Sequence, residues 1–282
     1  VLIAPWLIGF VLFQAGPILA SFALSFGEWP VPRPLEWVGL DNLRELATDP
    51  LFWRTLANTA VYAAGTVVPG LAIGLGLALL VRRPRRGVGT FRLIFFLPVL
   101  ISGVATALLW GWLLNPRFGL AEALLRVVGV DGPAWFFDPA WAMPALILMG
   151  LWNAGEIMLV YVAALNAIPG ELLDAAALDG AGRWGRFRYV TWPLITPVTL
   201  YLAVVTLVGA FQVFTPIYLL TGGGPDGATL TLPVYIYQNA FAYGRLGYAS
   251  ALATVLFVVV AVLTILLFRV AGRRVAELQD GR

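Results

Sequence analysis

The stretch Ile168-Pro-Gly-Glu-Leu-Leu-Asp-Ala-Ala-Ala-Leu-Asp-Gly-Ala-Gly-Arg-Trp-Gly-Arg-Phe-Arg-Tyr-Val-Thr-Trp-Pro193 is polar and charged, yet it sits between two long apolar segments. Pro169 suits the first turn of a helix, and Glu171 and Asp174 follow where acids favour the positive end of the helix dipole. Gly180 and Gly182 then punctuate that helix, because glycine takes the left-handed backbone that stops one. A second short helix follows with Arg183, Arg186 and Arg188, and Pro193 marks where the chain turns back into apolar sequence. Leu172, Ala175, Ala176 and Asp179 share one stripe of the first helix. Such a small, shallow face suits a groove on another protein, and it equally suits an ordinary connection between membrane spans.

Outward from this stretch the composition is that of a membrane protein. Hydrophobic residues make up 60% of the 282 and charged ones only 12%, about half the share of an ordinary soluble domain. All 18 basic residues are Arg; Lys, His and Cys are absent. That excludes a disulfide framework, the usual zinc sites and Cys/His nucleophiles. Without Lys there is no P-loop, so the chain does not hydrolyse ATP by that route. The net charge of +3 calls for no nucleic-acid partner.

Six apolar runs are long enough to cross a bilayer as helices: from Val1 to before Glu28, then Thr55–Val81, Leu93–Leu114, about Pro139–Leu165, Trp192–Leu220 and Gly247–Phe268. The first has no basic region before it and is too long for a signal peptide, so it is expected to be a span preceded by a short cytoplasmic head. Pro5 and Pro17 predict kinks in it. No period-2 alternation points to a barrel. Placed by the positive-inside rule, 12 arginines lie in one set of loops and termini (Arg82, Arg83, Arg85, Arg86, Arg92; Arg183, Arg186, Arg188; Arg269, Arg273, Arg274, Arg282) and six in the other. Both termini and the 168–193 loop are therefore expected in the cytoplasm. The opposite loops are rich in Trp and Pro, as in Trp29-Pro30-Val31-Pro32 and Pro133-Ala134-Trp135-Phe136-Phe137, which fits interfacial anchoring. Gly65, Gly70, Gly74 and Gly76 in the second span allow close helix approach, or reflect the general tolerance of membrane helices for glycine.

One ionisable group lies well inside a span. Glu156 falls in Leu151-Trp152-Asn153-Ala154-Gly155-Glu156, with Asn153 three residues earlier on the same face. The pair is suited to bonding the hydroxyls of a polar substrate; Glu156 is equally suited to bonding a neighbouring helix or meeting water. Gln212 and Thr215 share a face of the fifth span, either lining the same pathway or joining two helices. Gln14, Asn58 and Ser102 read as helix–helix contacts. No residue pattern points to a catalytic or metal site.

With the spans placed, the 168–193 stretch resembles the cytoplasmic EAA loop of binding-protein-dependent ABC importer permeases: Glu-Ala-Ala, three residues, Gly, nine residues, Ile-x-Leu-Pro. Asp174-Ala175-Ala176, Gly180, Val190 and Trp192-Pro193 occupy those positions with every spacing intact. Asp replaces Glu and Val replaces Ile without loss of charge or shape class, while Trp192 is bulkier than Leu. Three further stretches resemble the carbohydrate-uptake subgroup, and most of all its first permease, as in maltose-type oligosaccharide and glycerol-phosphate systems. They are Val38-Gly39-Leu40-Asp41-Asn42, Tyr218-Leu219-Leu220-Thr221-Gly222-Gly223-Gly224-Pro225, and Gln238-Asn239-Ala240-Phe241 leading to Gly247-Tyr248-Ala249-Ser250-Ala251.

The resemblance implies an all-α polytopic membrane protein of the type I ABC importer permease fold, six transmembrane helices with both termini cytoplasmic. It implies one permease domain over residues 1–282, in a prokaryotic inner membrane. It further implies a second permease subunit, a cytoplasmic ABC ATPase dimer carrying the ATP and Mg, an extracytoplasmic solute-binding protein and a sugar substrate. Coupling to the ATPase falls to Asp174, Ala175, Ala176, Gly180, Arg183 and Pro193. Substrate contacts in that family lie on the spans flanking the loop, where Asn153, Glu156, Gln212 and Thr215 fall here. A glycerol-3-phosphate or other polyol cargo is the alternative substrate, weakly disfavoured because no intramembrane Arg awaits a phosphate. A proton- or ion-coupled secondary transporter is the alternative class, but it calls for more intramembrane carboxylates or histidines and for visible inverted repeats.

Overall fold

The structure is a computed structural model that describes residues 3–30, 32–82 and 87–280, the last ten by backbone alone. Of the arginines used to place the loops, Arg83, Arg85, Arg86 and Arg282 lie outside the described residues, as do the side chains of Arg273 and Arg274. Val1, where the first apolar run begins, and Val31 of the Trp-Pro loop also lie outside the described residues.

Helix α1 (Ala4–Leu24) is peripheral, with no residue of its apolar window buried, and packs along the last helix. Pro5 sits in its first turn, where the missing N–H costs nothing. Pro17 is accommodated by a wide π-helical turn at Val11–Ala15, which relieves the crowding of the proline ring against the preceding turn. Two short strands, β1 (Gly27–Glu28) and β2 (Glu36–Trp37), pair antiparallel with Gly27 opposite Trp37. Helix α2 (Asp41–Thr48) leads through Asp49 into α3 (Pro50–Val81), whose 32 residues form the spine of the molecule. Arg92 donates to the Val81 carbonyl at 2.7 Å, placing a cation on the negative end of α3.

The run expected as one straight span at Leu93–Leu114 is broken. Helix α4 (Val88–Phe96) tightens into a 3₁₀ turn at Leu97–Leu100, and α5 (Gly103–Leu113) leaves it at 105°. Pro98 supplies no amide to continue α4, and the Ser102 hydroxyl instead accepts from the Ala105 N–H to start α5. Ser102 is thus a local cap rather than a helix–helix contact. Helix α6 (Leu120–Val127) lies in the following connection.

The next two expected spans are also interrupted. The fourth consists of α7 (Pro139–Leu151) and α8 (Ala154–Asn166), separated at Trp152–Asn153. Then come α9 (Gly170–Leu178) and α10 (Arg183–Arg186). The latter runs through a π-helical turn at Phe187–Thr191 into α11 (Trp192–Phe211), and α12 (Thr215–Leu220) follows a break. The helical path therefore continues through Pro193 into the apolar α11. The widened turn preceding the proline lets the helix run through it, as at Pro17. Pro169 likewise occupies the N-cap of α9 rather than its first turn. Helix α13 (Leu232–Tyr237) precedes the long last helix, α14 (Leu246–Asp280).

Five helical stretches are long and apolar enough to cross a membrane, or six if the bent α4–α5 pair is one span. Helix α3 packs on α7, α8 and α11, and α11 packs in turn on α14. Two apolar clusters are stacked along this bundle. One, around Phe52, Leu146, Ile217, Leu232 and Leu252, lies toward the Asp49 end of α3. The other, around Ala78, Met158, Leu165 and Ile195, lies toward the 168–193 end. Phe136 belongs to the first cluster, so the Pro133–Phe137 loop is partly core as well as exposed aromatic surface.

Candidate functional site

A cavity of about 270 Å³ sits between the two clusters. Tyr62, Thr66 and Gly70 of α3 line one side, Thr206 and Gly209 of α11 another, and Asn153 and Glu156 the third, at the α7–α8 break. The break is what aims the last two side chains. Asn153 occupies the N-cap position of α8 at φ −80° and ψ 5°, but its side chain makes no cap hydrogen bond, so its amide stays available to the cavity. Glu156 falls in the first turn of α8, where the positive end of the helix favours a carboxylate. It takes part in none of the ion pairs among the described residues.

Close backbone packing holds the break in place. At Gly155 a Cβ would collide with the Phe95 carbonyl, which presses α4 against the start of α8. At Gly74 a Cβ would lie 2.5 Å from Cγ2 and 2.8 Å from Cβ of Ile157, so glycine is what lets α3 and α8 meet. A Cβ at Gly65 would lie 2.6 Å from the flexible Cδ1 tip of Ile147, with Cγ1 and Cγ2 at 3.1 and 3.2 Å, whereas Gly70 has ordinary space and Gly76 faces nothing within 4 Å. Of the four glycines in α3, Gly74 is the one that a close helix contact requires.

The structure brings Asn153 and Glu156 together in the cavity and leaves Gln212 and Thr215 off its wall. Gln212 is the exposed C-cap of α11, and Thr215 opens α12, half-buried beside the stacked rings of Phe214 and Tyr218. The α11 face of the cavity is supplied by Thr206 and Gly209 instead. Thr66 and Thr206 were not singled out in the sequence, because threonine is common in apolar helices and each hydroxyl bonds its own helix, to Tyr62 O at 2.8 Å and Leu202 O at 2.6 Å.

At the 168–193 stretch, α9 closes in a left-handed turn at Gly180, φ +80°. The Gly180 N–H donates to Ala177 O and the Ala181 N–H to Ala176 O, which satisfies the last carbonyls of the helix. Leu173 and Ala176 face the bundle, while Leu172, Asp174, Ala175 and Asp179 are exposed. Leu178 is 90% and Trp184 73% exposed, an apolar surface with no cover among the described residues. Arg183 is exposed and Pro193 half-buried at the start of α11.

A third constellation ties loops to the far end of α3, and sequence reading missed it. Asp49 caps α3 by accepting from the Leu51 N–H, and its other oxygen accepts from the hydroxyls of Tyr235 at 2.7 Å and Tyr248 at 2.6 Å. Burial raises the Asp49 pKa, but the Tyr248, Tyr235, Leu51 and Phe52 donors outweigh it and hold the carboxyl below its ordinary value. Asn42 donates to the carbonyls of Ser25 and Gly27, and Asn58 to those of Gly227 and Leu230. Asn58 therefore anchors a loop rather than a helix, whereas Gln14 is exposed. Asn42, Asn239 and Tyr248 belong to the stretches that carry the subgroup resemblance, and here they act as architecture.

Residues 70–277 match the family model described as binding-protein-dependent transport system inner membrane component. The chain belongs to that family. The permease is 37% identical over 275 residues to the probable ABC transporter permease protein YesP of Bacillus subtilis, covering 96% of this chain and 89% of that one. It is 34% identical over 281 residues to the lactose transport system permease protein LacF of Rhizobium radiobacter, covering 96% and 93%. Its fold superposes with a TM-score of 0.84 and 26% identity on a chain of a bacterial alginate ABC transporter crystallised with an alginate pentasaccharide-bound periplasmic protein, covering 97% of this chain and 93% of that one. The permease is accordingly a multi-pass inner-membrane transport subunit and not an enzyme.

Proposed function

We propose that this permease forms half of the translocation pathway of an ATP-driven sugar importer, with a second permease as the other half. A solute-binding protein delivers the sugar from outside the cell, and a separate pair of ATPases, which hold ATP and Mg, drives the cycle from the cytoplasm. The α9–α10 segment is the coupling element. The observation that carries this reading is the α9 surface itself: a short helix with no buried residue, closed by a left-handed glycine and linked by a short turn to α10, which runs into α11 without a break. A partner that moves this segment moves α11, and α11 walls the cavity. The sugar assignment is supported by the names of the relatives and by the neutral polar lining contributed by Asn153, Thr66 and Thr206.

Gly180→Pro removes the N–H that closes α9 and cannot adopt φ +80°. Asp174→Arg reverses the charge on its exposed face. Both variants are expected to insert in the membrane at normal levels while losing the ATPase on purification and losing uptake. Wild-type uptake by either variant, purified with a full set of partners, would remove the segment from the coupling path.

A further inference from the structure

The walls of the cavity between α3, α8 and α11 are unequal in what they offer a ligand. Glu156 is the one charged side chain among the described residues that line it. An ionised carboxylate only accepts hydrogen bonds. The Thr66 and Thr206 hydroxyls have both given their protons to carbonyls of their own helices, so toward the cavity they too present lone pairs. Donors come from the Asn153 amide and the Tyr62 hydroxyl. The positive end of α8, which would otherwise attract an anion, already carries Glu156 in its first turn. No basic side chain lines the cavity among the described residues.

We propose that Glu156 makes this cavity a charge filter, admitting neutral polyhydroxylated or amino-bearing sugars and turning away carboxylated, sulfonated and phosphorylated ones. A ligand rich in O–H or N–H donors meets a surface rich in acceptors. An anionic ligand meets a carboxylate at close range in a confined site of reduced dielectric, with no cation to offset it. The proposal rests on the reading of the cavity as a sugar pathway.

The chain has no cysteine, so one introduced thiol reports on one place. Gly209 lines the cavity, and a Cβ there meets no atom within 4 Å beyond its own helix backbone, so Gly209→Cys places its Cβ in open space. The experiment measures modification of this variant, purified with its native partner chains, by aminoethyl and sulfonatoethyl methanethiosulfonates, followed by the intact mass of this chain. The ratio of cationic to anionic rate, divided by that for a free thiol, is expected to be about tenfold or more. Adding Glu156→Gln is expected to bring it near one, and adding Glu156→Asp to preserve it. A ratio near one with Glu156 present, or one that Glu156→Gln leaves unchanged, overturns the filter. Protection against the uncharged methyl reagent tests the sugar reading separately: glucose, lactose or glucosamine is expected to slow it and glucuronate is not. A high charge ratio without protection by any of these sugars overturns the sugar selectivity, though the field from Glu156 stands; protection by glucuronate equal to that by glucose overturns the filter.

Discussion

Replacing Asp49 by Ala tests the link between α3, α13 and the start of α14 at a single oxygen pair. The variant loses the N-cap of α3, which costs about 1 kcal/mol. It also strips the acceptor from the hydroxyls of Tyr235 and Tyr248, both residues buried, at about 1–3 kcal/mol each where water does not replace the bond. A loss of about 3–7 kcal/mol follows, or at least roughly 6 °C in apparent Tm at about 2–4 °C per kcal/mol for a chain of this size. Asp49→Asn keeps a good N-cap and one carbonyl acceptor, so about half of the loss is expected to return. The sign of the pH dependence is fixed by the depressed pKa. The unfolded carboxyl titrates near 3.8 and the folded one below it, so the Asp49 contribution is full above that value and fades as pH falls through the folded pKa. The gap in Tm between wild type and Asp49→Ala is therefore expected to be constant from pH 8 to about pH 5 and to narrow only below about pH 4. Thermal unfolding of the purified permease in detergent, read by tryptophan fluorescence across that pH range, makes the comparison. An Asp49→Ala variant melting within about 2 °C of wild type at pH 7 would refute the reasoning.

Gly74→Ala is expected to destabilise by about 1–3 kcal/mol, because the Cβ of Ile157 cannot rotate away from the added methyl. Gly76→Ala, with open space at the same helix, is expected to be neutral or to stabilise by up to about 1 kcal/mol through helix propensity, and the same melting assay separates the two. The Arg245–Glu45 pair, 2.5 Å apart and nearly half exposed on both sides, is expected to show a coupling below about 1 kcal/mol in a double-mutant cycle.

Much of the bundle was legible because its signals are long. A run of 20 or more apolar residues leaves few alternatives to a spanning helix, and the EAA-like spacing from Asp174 to Pro193 locates the exposed helical segment between two of them. What escaped the sequence were interruptions inside those runs. Hydropathy does not register a break at Trp152–Asn153, where no proline stands and the residues on both sides are apolar. Only Asn153 and Glu156 mark it, and they drew attention as polar groups rather than as the start of a helix. The bend between α4 and α5 did have local signals in Pro98, Ser102 and Gly103, which the continuous apolar pattern outweighed. The sequence also gives no sign of the π-helical turns that precede Pro17 and Pro193 and let the helix run through a proline that would otherwise end it. The Asp49 cap was hidden for another reason: Tyr235 and Tyr248 lie 186 and 199 positions from Asp49, so only the fold brings them together.

In the proposed function this chain works as one permease of a sugar importer powered by a separate ATPase. The most direct test is to isolate it from its native membrane with all bound chains, reconstitute the assembly in vesicles with the co-purified binding protein, and measure sugar uptake with and without ATP inside the cytoplasmic face. Co-purification of a second multi-span permease and a Walker-motif ATPase, with uptake that requires ATP, is the predicted result. Recovery of this chain alone, in vesicles that accumulate sugar on an ion gradient without ATP, would contradict the account.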